Sequence, residues 1–229
     1  MIDALIFDLD DTLYPERDFV VGGYEAVASH IEAEYGCPRN RVLDAMMSTF
    51  GALGRDKVFE MVMDRFLDPS VEVSELVEVY RRHTPALRLF PECEHLLKSL
   101  RGKMKLGVIT DGLPEVQKRK VQSLNLHKLV DRIIYTWEFG RELGKPHPFT
   151  FSLMLDLLQT AASRSVFVGD NLDKDRKGAR SVGMRFVQVL PNGDGANSNL
   201  LSKGAPEFVV KNLAELPQVL QLSECYETV

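Results

Sequence analysis

The chain has few cysteines and no long apolar run, and both absences restrict what it can be. Its 229 residues include three cysteines, and Cys37, Cys93 and Cys225 lie far apart without the spacing of metal ligands. This number and spacing argue against a disulfide framework and favour free thiols in a reducing cytoplasm. No apolar stretch approaches the roughly 18 residues that a membrane-spanning helix requires, so we expect no membrane span.

The chain also lacks an excess of positive charge. Lys and Arg number 28 against 33 Asp and Glu, which gives a formal net charge of −5 at pH 7. This balance argues against a protein that binds nucleic acid or anionic membranes in general. The opening residues, Met1-Ile2-Asp3, contain neither a basic segment nor an apolar one. We therefore expect no secretory signal.

What is present is ordinary for a globular protein, with 45% hydrophobic and 27% charged residues. At both ends of the chain, short apolar segments alternate with amphipathic ones, as in a parallel sheet wound with helices. The sequence therefore predicts an α/β fold with a doubly wound, Rossmann-like parallel sheet. The predicted strands are Leu5–Asp8, Lys105–Ile109, Arg132–Tyr135, Val166–Val168, Arg185–Val189 and Phe208–Val210. The predicted helices are Glu92–Leu100, Pro114–Ser123, Phe149–Leu158, Lys174–Val182 and Leu213–Leu220, and Asn192–Asn199 is a predicted polar surface loop.

Residues 15–85 have a different pattern. Apolar residues recur there at helical spacing in four groups, and no segment has the alternation of a strand. Pro15, Pro85 and Pro91 lie near the two ends of this block, where hinge connections are expected. We therefore predict an α/β core domain formed by residues 1–14 and 86–229, with an all-helical domain inserted at residues 15–85.

The candidate chemistry begins where the first predicted strand ends. Asp8 and Asp10 are two residues apart, so their side chains can project to the same side at a strand end. Two carboxylates held this close repel each other, unless a divalent cation lies between them or one is protonated. Both conditions suit a site in which one Asp attacks phosphorus and the other handles the proton. A polar turn with a helix-capping Asp or Thr is the alternative.

Two further segments place polar groups beside turns. Thr110 ends the second predicted strand, and its hydroxyl and the backbone N–H groups of the Asp111-Gly112 turn would suit a phosphate oxygen. Lys145 stands just before a proline-marked helix start, where its ammonium group can lie over an anionic site. An ordinary turn and a solvated lysine are the alternatives. His147 is interpreted as a helix-start residue rather than a ligand.

The fourth segment follows the predicted strand Val166–Val168. Asp170 would meet Asp8 if the two strands are neighbours, and hard oxygen ligands of this kind suit Mg²⁺. Asp175 is interpreted as a supporting residue. Asp173 is interpreted as a helix cap, because negative charge is favourable in the first turn of a helix.

In order and content, these four segments resemble the motifs of the haloacid dehalogenase-type (HAD) hydrolases. The resemblance is to the subfamily with a helical cap inserted after the first motif, and it covers nearly the whole chain. It implies that Asp8 is a nucleophile that forms an aspartyl-phosphate. It also implies that Asp10 is the general acid/base and that the main-chain carbonyl of Asp10 reaches the metal ion.

The resemblance also implies roles for the later segments. Thr110 and Lys145 would hold the transferred phosphoryl group, and Asp170 would bind Mg²⁺. Asp175 would support Lys145 or a metal-bound water.

The expected function is a Mg²⁺-dependent phosphatase that acts on a small phosphorylated metabolite through an aspartyl-phosphate. Asp10 would have to be protonated near neutral pH, and the adjacent charge of Asp8 is expected to raise the pKa of Asp10. Arg55, in a glycine-flanked link between two helices of the insert, is the candidate substrate contact there. A solvated residue at a helix N-terminus is the alternative for Arg55.

Several other functions share this pattern. A phosphomutase has the same motifs, whereas a 2-haloacid dehalogenase would not need Asp10, because a leaving halide requires no proton. A phosphonate-cleaving enzyme would need an amine from the insert, and nothing marks Lys57 as desolvated. A regulatory relative without activity would usually have lost one of the motif residues. We expect a cytoplasmic monomer or homodimer, with no nucleic-acid or membrane partner.

Overall fold

The computed structural model describes residues 2–190 and 208–220. The chain divides into two compact units, Met1–Pro15 with Arg88–Val229 and Glu16–Leu87. The divisions after residues 15 and 87 lie one and two residues beyond those expected after residues 14 and 85. The predicted loop Asn192–Asn199 and Cys225 lie outside the described residues.

The first unit is built on a six-stranded sheet with the strand order β3-β2-β1-β4-β5-β6. All five pairs of neighbouring strands are parallel, which confirms the predicted α/β fold class. The strands are β1 (Ala4–Phe7), β2 (Lys105–Thr110), β3 (Arg132–Tyr135), β4 (Ser165–Gly169), β5 (Arg185–Val189) and β6 (Phe208–Val210).

The central position of β1 decides where the site lies. Phe7, its last residue, is in register with Val108 of β2 on one side and with Val168 of β4 on the other. All four residues of β1 are fully buried, as expected for a parallel strand covered on both faces. The residues that follow β1, β2 and β4 therefore emerge together at the carboxyl edge of the sheet, where such folds bind ligands.

Helices follow the strands of the sheet. Numbered along the whole chain, the helices of this unit are α5 (Pro91–Leu100), α6 (Pro114–Ser123), α7 (Pro148–Leu158), α8 (Lys177–Ser181) and α9 (Leu216–Val219). The first three begin with a proline, which suits the first turn of a helix. On one face of the sheet, Phe151 and Met154 of α7 pack in one cluster with Ala4 and Ile6 of β1. The predicted helix at 213–220 is divided, because a 3₁₀ turn, Leu213–Glu215, precedes α9.

The predicted helix at 174–182 is also divided. A π-helical turn, Leu172–Arg176, precedes α8. In this turn, the backbone N–H of Arg176 donates to the carbonyl of Asn171, five residues earlier, at 3.4 Å. The prediction that Asp173 caps this helix is wrong. The cap is Asn171, whose Oδ1 accepts from the N–H groups of Asp173 and Lys174 at 3.0 Å each.

The second unit is helical, as the periodicity predicts. Its helices are α1 (Glu16–Tyr35), α2 (Arg39–Leu53), α3 (Val58–Phe66) and α4 (Val73–Arg82), with a 3₁₀ turn at Arg55–Lys57 between α2 and α3. Residues 16–87 contain no strand. The unit has its own core, to which α1 contributes Val20, Tyr24, Val27, Ala28 and Ile31. Across the described parts of the chain, no helix combines the length and apolarity that membrane crossing requires.

Close packing between α7 and α8 generates a stability prediction. A Cβ at Gly178 of α8 would overlap the ring of Phe151, which is fully buried and cannot move aside without disturbing the core. Gly178→Ala is expected to destabilise the α/β unit by about 1–3 kcal/mol. Urea unfolding followed by the fluorescence of Trp137, the single tryptophan, measures this change.

The matched control is Gly51→Ala in α2, where an added Cβ meets nothing within 4 Å. That change removes backbone freedom from the unfolded chain, so it is expected not to lower the midpoint of the Trp137 transition. A Gly178→Ala protein with the wild-type midpoint would contradict the packing between these two helices.

Candidate active site

The site lies at the carboxyl ends of three neighbouring strands, β2, β1 and β4. Asp8 directly follows β1, Thr110 is the last residue of β2, and Asp170 directly follows β4. Lys145 precedes α7 in the segment that follows β3. These four positions are separated by up to 162 residues in the sequence, yet parallel register places the strand ends at one edge of the sheet.

Lys145 lies at the centre of the site. Its ammonium group donates to Asp8 Oδ1 and, at 2.7 Å, to Asp175 Oδ1. The residue is 8% exposed. Burial lowers the pKa of Lys145, but the charges of Asp175, Asp8 and Asp111 outweigh burial and raise that pKa above its ordinary value. Lys145 therefore carries a full positive charge beside Asp8.

Asp175 is fully buried and holds Lys145 in place. Its Oδ1 accepts from Lys145, and its Oδ2 accepts from the backbone N–H of Asn171 at 3.1 Å. The preceding strand leaves room for this carboxylate only because it ends in glycine, since a Cβ at Gly169 would overlap the Asp175 carboxylate. Asp175 thus makes the contact with Lys145 that its predicted supporting role requires.

An acidic cluster adjoins this pair. Carboxylate oxygens of Asp8, Asp170 and Asp175 lie within 4.8 Å of one another. Burial, followed by the charges of Asp175 and Asp11, raises the pKa of Asp170 to about 7. Burial also raises the pKa of Asp8 well above its ordinary value, although the charge of Lys145 opposes this.

Both raised pKa values follow from burial first and from the neighbouring carboxylates second, which together outweigh the charge of Lys145. A divalent cation would stabilise the ionised forms of these carboxylates, and carboxylate oxygens are the ligands that Mg²⁺ prefers. The donor set therefore fits a Mg²⁺ ion, with Asp8 and Asp170 as side-chain ligands. Asp10 is the third predicted ligand residue, and its side chain does not belong to this cluster. The contact between its main-chain carbonyl and the ion remains a prediction.

Three residues that sequence reasoning missed bind Asp10. Lys120 Nζ lies 2.7 Å from Asp10 Oδ1, Gln117 Nε2 donates to Oδ2 at 2.9 Å, and the Tyr14 hydroxyl donates to Oδ1 at 2.5 Å. The side chains of Gln117 and Lys120 are buried on α6, three residues apart on one helix face. The spacing of three on a predicted helix was the available signal, but it does not distinguish these residues from solvated polar ones.

These contacts overturn the expectation that Asp10 is protonated near neutral pH in the free protein. Burial raises the pKa of Asp10, but the charge of Lys120 and the hydrogen bonds from Lys120, Tyr14 and Gln117 outweigh burial. The net effect lowers the pKa of Asp10 below its ordinary value. These contacts favour the ionised form of Asp10, because Lys120 affects the pKa of Asp10 more than the charge of Asp8 does.

The second predicted segment supplies a hydroxyl group to the site. The hydroxyl of Thr110 is fully buried and accepts a hydrogen bond from Gln117 Nε2.

The next residue of this segment, Asp111, binds the segment that carries Lys145. Asp111 Oδ1 accepts from Thr136 Oγ1 at 2.7 Å and from the backbone N–H of Lys145 at 3.0 Å. The carboxylate of Asp111 thus fastens the Lys145 segment to the end of β2. Gly112 has φ 133°, a conformation that favours glycine, and its backbone N–H stays a predicted phosphate contact.

Three remaining candidates have partners of their own. Arg55, within the helical unit, pairs with Glu16 at 2.7 Å, and its role as a substrate contact stays a prediction. Lys57 is exposed and pairs with Glu60 at 2.6 Å, so it is not the desolvated amine that imine chemistry needs. His147 caps α7 by accepting from the backbone N–H of Phe149, which confirms its interpretation as a helix-start residue.

The fold and the site together define an α/β protein that has an aspartate, a buried lysine and an acidic cluster at the carboxyl edge of a parallel sheet. Residues 5–189 match the model of the haloacid dehalogenase-like hydrolases. The chain belongs to this family, which confirms the predicted family.

Several named relatives are phosphatases. A glyceraldehyde 3-phosphate phosphatase from Methanocaldococcus jannaschii is 32% identical, over 96% of this chain and 98% of the relative. A phosphoserine phosphatase from Thermus thermophilus is 30% identical, over 77% of this chain and 68% of the relative. Among solved structures, a 2-haloacid dehalogenase from Pseudomonas syringae is 26% identical, with a TM-score of 0.67, over 97% of this chain and all of the other.

The two hydrogen bonds that Asp111 accepts lead to a prediction. Asp111→Asn keeps an oxygen that accepts from Thr136 and from Lys145. It loses the negative charge, which pairs with Lys174 at 3.9 Å and helps to raise the pKa of Lys145. Asp111→Ala removes the acceptor and leaves two buried donors unpaired. Because each such loss costs about 1–3 kcal/mol, the alanine variant is expected to lose roughly 10- to 100-fold in kcat/KM, and the asparagine variant less than about threefold.

Steady-state phosphate release by both variants, with their thermal melting curves, measures this difference. Equal losses in the two variants would show that the charge of Asp111, rather than its hydrogen bonds, matters.

Proposed function

We propose that this protein is a Mg²⁺-dependent phosphatase that hydrolyses a small phosphorylated metabolite through an aspartyl-phosphate on Asp8. The observation that carries the proposal is the buried ammonium group of Lys145, held between Asp8 and Asp175 beside an acidic cluster that fits a divalent cation. A nucleophilic carboxylate, a fixed cation and a metal site are the groups that phosphoryl transfer requires.

In the first half-reaction, Asp8 attacks phosphorus, and the bond between phosphorus and the ester oxygen breaks. Lys145 offsets the repulsion between the attacking carboxylate and the phosphate anion. A bound Mg²⁺ would supply further positive charge that stabilises the phosphoryl oxygens. Thr110 and the backbone N–H groups of the Asp111-Gly112 turn would hold those oxygens in line.

Asp10 serves both half-reactions. In the second, an ionised Asp10 accepts a proton from the water that attacks the aspartyl-phosphate, and the free protein already holds Asp10 ionised. In the first, Asp10 must be protonated in order to give a proton to the leaving alkoxide. A bound phosphate dianion adds negative charge near Asp10, which raises its pKa and favours uptake of that proton.

The names of the relatives indicate which substrates to test first. Glyceraldehyde 3-phosphate and phosphoserine, which the names of two relatives contain, are both three-carbon phosphate monoesters. We propose a substrate of this size.

A 2-haloacid dehalogenase is the alternative that the structural likeness favours. A phosphomutase has the same motifs and differs in passing the phosphoryl group to a second sugar. The hydrogen-bonded Asp10 favours the phosphatase, because displacement of halide needs no group that handles a proton for the leaving atom. We further propose a cytoplasmic monomer or homodimer with no nucleic-acid or membrane partner. Free thiols at Cys37 and Cys93 support the cytoplasmic location.

One prediction of this function concerns metal and substrate. In a panel of about a hundred phosphorylated metabolites and haloacids, phosphate release from the esters is expected only with Mg²⁺ present, and halide release from the haloacids is not expected. EDTA is expected to abolish turnover, and added Mg²⁺ to restore it, because Asp8 and Asp170 would repel each other without the cation. Chloride release from a 2-haloacid in EDTA would replace the phosphatase with the dehalogenase.

The second prediction concerns the nucleophile. Asp8→Asn is expected to abolish turnover, since an amide oxygen does not attack phosphorus as a carboxylate does, and to leave the circular dichroism spectrum unchanged. The matched control is Asp173→Asn, the same change at an exposed carboxylate that pairs with Lys177, at 2.6 Å. Substantial turnover by a folded Asp8→Asn protein would remove Asp8 from the mechanism.

A further inference from the structure

We propose that Gln117 and Lys120 are positioning residues, which fix the carboxylate of Asp10 and turn the hydroxyl of Thr110 toward the phosphoryl group. This inference rests on the proposed phosphatase function and deepens it. It assigns a catalytic purpose to one face of α6, the helix that follows the second motif.

The burial of the two side chains requires an explanation. Gln117 is 2% exposed and Lys120 is 3% exposed. Burying an amide and an ammonium group costs several kcal/mol unless both are paired. The pairing that the structure provides is to Asp10, at 2.9 Å from Gln117 Nε2 and 2.7 Å from Lys120 Nζ. α6 thus carries two costly polar groups whose shared contact is the predicted general acid/base.

The hydrogen bonds of Gln117 have a defined direction. A carboxylate oxygen only accepts, so the Gln117 atom that faces Asp10 is the amide nitrogen, which has two protons. One is donated to Asp10 Oδ2 and the other to Thr110 Oγ1. Gln117 therefore joins the proton-handling group and the phosphate-binding hydroxyl through a single amide.

This direction sets the polarity of Thr110. A hydroxyl has one proton and two lone pairs, and Gln117 occupies a lone pair of Thr110. The proton of Thr110 is then available to an acceptor on its other side. A phosphoryl oxygen is such an acceptor, so Gln117 prepares Thr110 to donate to the substrate.

Lys120 acts on the carboxylate of Asp10. Its Nζ and the Tyr14 hydroxyl both bind Oδ1, whereas Gln117 binds Oδ2. Both oxygens of Asp10 are therefore fixed, and the plane of the carboxylate with them. The two positioning residues should consequently have separable effects, on proton transfer for Lys120 and on proton transfer plus phosphate binding for Gln117.

The test compares two substitutions of Gln117. Gln117→Glu keeps the shape of the side chain but has at most one proton, so it cannot donate to both Asp10 and Thr110, and it draws the Thr110 proton toward itself. Gln117→Met loses both hydrogen bonds but leaves that proton available to phosphate. KM and the inhibition constant of inorganic phosphate are expected to rise about 10- to 100-fold in Gln117→Glu and less than about threefold in Gln117→Met.

A purely structural role predicts the opposite order, because glutamate is the closer match in shape. The phosphate inhibition constant also reports on Thr110 without reference to the rate of the chemical step. Gln122→Glu is the matched control, the same substitution at an exposed position of α6. It is expected to leave both constants unchanged.

Lys120→Met provides the second arm. Its kcat is expected to fall about 10- to 100-fold with KM nearly unchanged, since general acid/base catalysis contributes on this scale and Thr110 keeps its bond from Gln117. Lys120→Arg, which retains a cation, is expected to recover part of kcat. Lys120→Met also keeps the test open if Gln117→Glu does not fold.

The outcomes separate this inference from the function on which it rests. A wild-type protein that releases no phosphate from any ester would overturn the proposed function, and the inference with it. An active wild type with unchanged kcat and KM in folded Gln117 and Lys120 variants would overturn the inference alone. Larger KM effects in Gln117→Met than in Gln117→Glu would also overturn it.

Discussion

The site depends on the buried ion pairs of Lys145. Its ammonium group and the carboxylates of Asp8 and Asp175 are almost wholly removed from water. Loss of the ammonium group would therefore leave two buried carboxylates without their cation. Asp175 in turn depends on the backbone N–H of Asn171 and on the absence of a side chain at Gly169. The π-helical turn after β4 serves this arrangement by directing Asp175 inward, and the strand order then places it beside the end of β1.

A second set of contacts organises Asp10 independently of Lys145. Lys120, Gln117 and Tyr14 surround that carboxylate, and Gln117 extends the set to Thr110. In the proposed mechanism, the first set would control charge at the attacking oxygen. The second set would control the proton and the orientation of the phosphate-binding hydroxyl. Both aspartates lie in the segment that directly follows β1, a central strand of the sheet, which holds the two sets close together.

The parts of this design that sequence could predict are local or follow from topology. The apolar segments that end at Asp8, Thr110 and Asp170 have the pattern of buried strands, and parallel strands must place these ends at one edge. The surroundings of Asp10 could not be predicted, because a helix side chain points inward or outward according to the rotation of its helix. The sequence shows Asp8 two residues from Asp10, whereas Lys120 is 110 residues away. The expected pKa of Asp10 was therefore wrong in direction.

The directions of the pKa shifts also indicate which carboxylates a bound cation would stabilise. Asp10 has a lysine of its own, Lys120, and its pKa is lowered. Asp8 shares Lys145 with a neighbouring carboxylate, and burial raises the pKa of Asp8. The pKa of Asp170 rises to about 7, because burial and neighbouring carboxylates outweigh the charge of Lys145. A cation between Asp8 and Asp170 would therefore stabilise their ionised forms, as Lys120 already does for Asp10. A divalent cation at that place would leave Asp10 free to exchange protons, which is the division that hydrolysis of a phosphate ester requires.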